Sequence, residues 1–192
     1  MKVHGKHVVT VLCMLFLIYF ILGGLLPFLH HKPVGAPLQR TFKPENCYGS
    51  TEGTERVLCI DDNQEALLWR LRVIESAQEE IVMSTFDFSA DSAGKDIMSA
   101  LLHKAEEDVQ VKILVDGING MLNLYGNRYF NGLVSHPNVQ VKFYNPINLL
   151  KPWEINLRMH DKYLVADHAV YILGGRNTND LFLGSAGDRT NG

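Results

Sequence analysis

With 192 residues, 21 acidic and 18 basic side chains and a formal net charge of −3, the chain has room for one ordinary domain. Every Asp and Glu lies beyond residue 30, so the soluble part is mildly acidic, and the basic face that a nucleic-acid binder carries is missing. Three cysteines exclude a disulfide framework and fit no zinc spacing; Cys47 and Cys59 pair only in an oxidising compartment, and two ordinary thiols are an equally good reading.

Val8 to Leu29 is an uncharged run of 22 residues. A helix needs roughly 20 apolar residues to cross the hydrocarbon core, so the run predicts a transmembrane helix. Lys2 and Lys6 precede it as a signal peptide's basic region would, but the run exceeds the usual 7–15-residue signal core, and an uncleaved anchor is the preferred reading. Lys2 and Lys6 on one side nearly balance Lys32, Arg40 and Lys43 on the other; the expectation leans to a domain outside the cytoplasm. Pro33, Pro37 and Pro44 then mark a linker.

Strand-like and helix-like segments alternate after that. RVLCI (Arg56 to Ile60) reads as a strand. Asp62 with Glu65 three residues later forms a capping-box pattern for a helix whose Leu67, Leu68, Leu71 and Ile74 share one face. Glu80 to Phe88 is the next strand. Asp91 and Ser92 cap a helix from about Gly94 to Ala105, with Ile97, Leu101 and Leu102 on its apolar face. Val109 to Asp116 is a β-branched strand, a third helix is expected near Asn127 to Ser135, and Val139 to Asn145 is another strand. MHDKYLVA and AVYIL read as two strands joined at Asp167-His168 in a hairpin. The alternation predicts an α/β domain with a mostly parallel or mixed sheet and helices on both faces.

The hairpin carries the chemistry. Strand geometry sends His160 and Lys162 to the same side and Asp161 to the other. An ammonium holds negative oxygens as a point charge, and an imidazole beside it can attack or exchange a proton. Asp167 is a candidate to orient the imidazole, or a plain turn residue. Gly174 and Gly175 allow a bound group close to the backbone, and Asn177 adds an amide donor. Arg176 touches phosphate or is a surface guanidinium. A metal held by His160, Asp161, Asp167 and His168 is the weaker alternative, because His160 and Asp161 face opposite ways.

His160-x-Lys162-x4-Asp167 followed by Gly174-Gly175-Arg176-Asn177 resembles the HKD motif of the phospholipase D superfamily. STFDFSADSAGKDIMSALLHKAEEDVQVKILVDG and PNVQVKFYNP are similar to the segments before the first HKD motif of bacterial cardiolipin synthases, and the likeness spans roughly Val57 to Gly184. The resemblance implies that His160 is the nucleophile and forms a phosphohistidine. It implies too that Asp167 supports the histidine, that Lys162, Asn177 and Gly175 meet substrate phosphate, and that no metal or cofactor takes part. It also implies a second HKD half, from the same longer chain or from a homodimer. The domains are expected as anchor 1–30, linker 31–52 and phospholipase D-like domain 53–192, the last cut short at its C-terminus.

The function so implied is membrane-anchored phosphodiester transfer on phospholipids, as hydrolysis or transphosphatidylation. The alternatives are an inactive, truncated half and a dimeric nuclease. Trp153 and Tyr144, in the loop before the motif, are candidates to line a lipid-facing entrance.

Overall fold

The computed structural model describes residues 2–29, 43 and 56–184. Apart from Lys43, the expected linker lies outside the described residues, as do Cys47 and residues 185–192. The chain divides into two compact units, Met1–Cys59 with Asn148–Asn156, and Ile60–Ile147 with Leu157–Gly192.

In the first unit, α1 (Lys2–Leu25) runs into a 3-10 turn at Leu26–Phe28. Lys6–Phe28 is long and apolar enough to cross a membrane. A second 3-10 turn, Pro152–Glu154, lies against the helix. The Tyr19 hydroxyl donates to Leu150 O at 2.8 Å, and Asn156 Nδ2 donates to Gly24 O at 2.7 Å. The Pro152 ring fills the space where a Cβ on Gly23 would lie, 2.3 Å from its Cγ, so only glycine fits there.

The second unit is built on a five-stranded mixed sheet. Its strands are β1 (Glu80–Thr85), β2 (Gln110–Asp116), β3 (Val139–Tyr144), β4 (Tyr163–Ala166) and β5 (Val170–Leu173), in spatial order β3-β2-β1-β4-β5. β1, β2 and β3 are mutually parallel, whereas β4 runs antiparallel to β1 and to β5. Ala169 N donates to Ala166 O at 3.0 Å, closing the β4–β5 turn; Asp167 and His168 at its centre have φ of 51° and 54°. This is the left-handed backbone that a tight hairpin turn needs, and Asp tolerates it better than most residues.

The helices are α2 (Asn63–Ser76), α3 (Ser92–Glu106), α4 (Gly117–Asn123), α5 (Arg128–Val134) and α6 (Asp180–Leu183). Each of the longer two begins where a carboxylate takes an orphan N–H: Asp62 accepts from Glu65 N at 2.8 Å, and Asp91 from Gly94 N at 3.1 Å. Asp116, which ends β2, caps α4 in the same way. The helix at Gly117, in a stretch where the sequence predicts no element, follows from that cap.

Ile81, Met83, Val111, Ile113, Val115, Leu164 and Ala166 form one buried sheet face, on which Ile74, Ile97, Leu101 and Leu133 pack. The opposite face carries Val82, Lys112, Leu114, Lys142 and Val165, none of them buried. Ser84, on that same face near the end of β1, is buried. On α2 the buried positions are Ala66, Val73 and Ile74, while Leu68, expected on the inner face, is exposed.

One predicted strand is corrected. Arg56 to Ile60 has no regular pairing, and Val57 is 90% exposed. An apolar run becomes a strand only when a ladder accepts it, and in this sheet the position beside β1 belongs to β4. Arg176 holds the end of the run instead: Nη1 donates to Ile60 O at 3.1 Å, Nη2 to Asp61 O, and Nε to Asn63 Oδ1 at 2.9 Å.

Candidate active site

β1 ends at Thr85, and Thr85 to Ser89 gather most of the residues that the sequence singles out. Three segments arrive there. The first is the motif itself. Met159 is buried, and its Sδ accepts from Ser84 Oγ at 3.2 Å, which fixes the start of the motif on β1. Just before it, Arg158 donates to Asn145 O and sits 3.4 Å from Asp116 Oδ1, tying the incoming chain to the ends of β2 and β3.

His160 and Lys162 precede β4 rather than lying in it, yet both come to one aromatic ring. The His160 imidazole lies 4.7 Å from the Phe86 ring, centroid to centroid, with the planes tilted by 57°. Lys162 Nζ is 5.4 Å from the same centroid and donates to His160 O at 2.9 Å. The imidazole is exposed and the lysine is buried. Burial pushes the Lys162 ammonium below the ordinary lysine value, with Asp161 opposing that shift. A desolvated cation next to an accessible imidazole is an arrangement that gains by binding an anion.

The second segment follows the glycines. Thr178 N donates to Asp87 O, Ser89 N donates to Thr178 O, and Thr178 Oγ1 donates to Thr85 Oγ1 at 3.2 Å. Asn179 Nδ2 donates to Asp87 Oδ2 at 2.8 Å. Asn177, between this anchor and the glycines, is 8% exposed, and its buried Oδ1 has no hydrogen-bond partner among the described residues. A buried amide oxygen without a partner costs free energy that a bound donor recovers. Gly174 and Gly175 are exposed, with nothing within 4 Å of a Cβ built on either. Room for a group beside the backbone exists there.

The third segment is α4. Its Asn123 Nδ2 donates to Asp87 Oδ1 at 2.7 Å. Asp87 is thus the knot that joins the ends of β1, α4 and the post-glycine segment. Asp116 and Asp87 both serve structural roles at strand ends.

Lys162 also lines a small pocket with Arg70, Arg176, Ser84, Thr85 and Thr178, and no carboxylate is among its lining residues. Burial first, and Arg176 second, lower the Arg70 guanidinium to about 10, which leaves it charged at neutral pH. Arg176 also lines this pocket while three of its N–H groups serve the Ile60 and Asp61 carbonyls and the Asn63 side chain, a task the sequence does not announce.

Asp167 is placed elsewhere. Its two carboxylate oxygens accept from Gln78 N, Glu79 N and Glu80 N at 2.8–2.9 Å, at the start of β1. Those three N–H groups, Glu80's first, hold its carboxyl below the usual carboxylate range. The antiparallel β1–β4 pairing sets Ala166 against Ile81 and Tyr163 against Ser84, so Asp167 and His160 lie at opposite ends of β1. The structure does not bring this aspartate to the imidazole, and the carboxylate ties the hairpin turn to β1 instead.

Phe86 is the residue that sequence reasoning missed. Its only local signal is an aromatic immediately after a strand, which seldom means more than core.

Residues 71–183 match the family model described as cardiolipin synthase, PLD-like domain. The chain belongs to that family. Cardiolipin synthase C of Escherichia coli is 30% identical over 140 residues, covering 66% of this chain and 28% of that protein. A cardiolipin synthase of Clostridium perfringens is 36% identical over 122 residues, covering 58% and 23%. The PLD-like chain thus spans about a quarter of the length of these curated relatives. Its fold is shared with the phosphatidylserine synthase of Haemophilus influenzae, at a TM-score of 0.51 and 21% identity over 63% of this chain and 28% of that one. The mixed sheet and covering helices of the PLD-like domain are therefore those expected from the motif.

Proposed function

We propose that the chain supplies one half of a phospholipase D-type active site, held at a membrane by α1, that transfers a phospholipid phosphodiester through a covalent histidine intermediate. The observation that supports this most is the convergence of His160 and Lys162 on Phe86 at the end of β1. Family membership and the synthase relatives support a phospholipid as substrate.

In this reading an imidazole nitrogen of His160 attacks phosphorus. The N–P bond forms as the P–O bond to the departing alcohol breaks, and the phosphatidyl group stays on the histidine. Lys162, desolvated before substrate arrives, takes a non-bridging oxygen whose charge grows in the transition state, and the Asn177 side chain donates beside it through Nδ2. A second histidine, from another HKD half in a longer chain or in a homodimer, protonates the leaving oxygen. It then takes a proton from the acceptor, so that water yields hydrolysis and an alcohol yields a transferred phosphatidyl group. In this reading the soluble unit lies on the extracytoplasmic side, towards which the charges flanking the span lean.

The test is the full chain in liposomes containing phosphatidylglycerol, with cardiolipin and phosphatidic acid measured. Product that disappears in His160→Ala supports the reading, and equal product from both proteins overturns it. The chain holds a single H-x-K-x4-D, which favours a second reading, a half that is silent alone. Product appearing only when a second HKD half is added would select it. Salt-sensitive cleavage of single-stranded DNA, lost in His160→Ala, would instead mark a nuclease.

A further inference from the structure

We infer that the loop Asn148–Asn156 is a second membrane-inserting element, seated in the same lipid leaflet as the C-terminal third of α1. The inference rests on the reading of α1 as a membrane anchor and adds a segment with no transmembrane character of its own.

The loop is fastened to the helix inside the apolar span. Tyr19, whose hydroxyl donates to Leu150 O, lies nine residues before Phe28, where the span ends. At 1.5 Å per residue that is about 13 Å inside the end of the span. Asn156 on Gly24 and Pro152 on Gly23 continue the contact towards that end. A helix that crosses the bilayer therefore carries the loop into the hydrocarbon edge with it.

The loop's surface fits that place. Leu149, Leu150 and Trp153 are 54%, 77% and 41% exposed, close to the values of Leu26 and Phe28 on the helix itself. Exposed apolar side chains beside an apolar span extend its lipid-facing surface rather than forming an isolated patch. Lys151 and Glu154, 3.3 Å apart, neutralise each other. Tryptophan near the end of a span is the usual marker of the bilayer interface. The polar groups nearest the helix are bonded to it, as low dielectric demands. His160 follows Asn156 by four residues, so the chain tethers it within roughly 14 Å of the loop however the two units are arranged. An inserted loop thus keeps the nucleophile within a short tether of the bilayer surface.

The test uses the full chain in phosphatidylglycerol–phosphatidylcholine liposomes, in a Trp69→Phe background that leaves Trp153 as the sole tryptophan. Lipids brominated at a shallow acyl position should quench Trp153 at least two-fold, and aqueous iodide should quench it little. A parallel protein with Trp69→Phe, Trp153→Phe and Leu17→Trp reports on the anchor. Quenching of the anchor probe without quenching of Trp153 overturns the inference and leaves the anchor reading intact. Failure of both probes overturns both. Trp153 shielded from iodide and from lipid bromine alike means that protein, such as a second copy of the chain, covers the loop, and overturns the inference too. Gly23→Leu, which displaces Pro152, should cut the lipid quenching of Trp153 by half or more while the same substitution leaves the anchor probe unchanged.

Discussion

Phe86 and His160, 74 residues apart in the chain, meet ring to ring at 4.7 Å, and Lys162 Nζ lies 5.4 Å from the centre of the same ring. The ring is a platform that sets the imidazole's position before any substrate arrives. Orientation of this kind is worth orders of magnitude in rate when the reacting atoms must align. Phe86→Ala should lower the rate of the proposed phosphodiester transfer 10- to 100-fold, with a stability loss of only about 1–2 kcal/mol because the ring is half-buried. Turnover, thermal melting and the ring-current shift of the His160 proton resonances check this together. An unchanged resonance would remove the platform.

Asp167 should behave as a structural carboxylate. Its folded pKa lies below its ordinary 3.8, so the stability it adds is fully present above that value and is lost as pH falls through the lower folded value. Asp167→Asn keeps an acceptor for part of the three N–H bonds and should cost about 1 kcal/mol at neutral pH, with a smaller acid dependence of melting. The proposed activity should be retained. A loss of activity at unchanged melting would return Asp167 to the imidazole.

Lys162 trades stability for binding. A cation whose folded pKa is lowered destabilises the fold while it is charged, and the cost fades as pH rises from the folded value towards 10.5. Lys162→Met should therefore melt no lower than the parent at pH 7 and abolish at least 100-fold of activity. In the parent, activity should fall on the alkaline side before an ordinary lysine would titrate. Melting curves and a pH–rate profile decide it.

Arg176 should be sensitive to shape rather than to charge. Its guanidinium serves the carbonyls of Ile60 and Asp61 and the Asn63 amide at once, which an ammonium cannot do. Arg176→Lys should destabilise the domain by about 2 kcal/mol, read from denaturant midpoints, and release residues 56–62 to proteolysis.

Some of this was legible in the sequence for a simple reason. Asp62 and Asp91 cap their helices through bonds to residues three positions away, and β2 and β3 announce themselves by alternation along one segment. The motif spacing likewise placed His160 and Lys162 on one side of a short extended stretch. The cap bonds are closed within three residues and the strand pattern is read along one segment, although the ladder that completes β2 and β3 joins residues 28 apart.

What the tertiary structure decided depends on which strands became neighbours. Because β4 runs antiparallel to β1, the carboxylate of the motif lands at the beginning of that strand and the imidazole at its end. RVLCI takes no place in that strand order, and its last residue is held by Arg176 instead. Phe86 acquired its role only when a segment 74 positions away was folded over it. The partners of a side chain are set by sheet order and register, which follow from burying one apolar face of the whole sheet and from no single stretch of the chain.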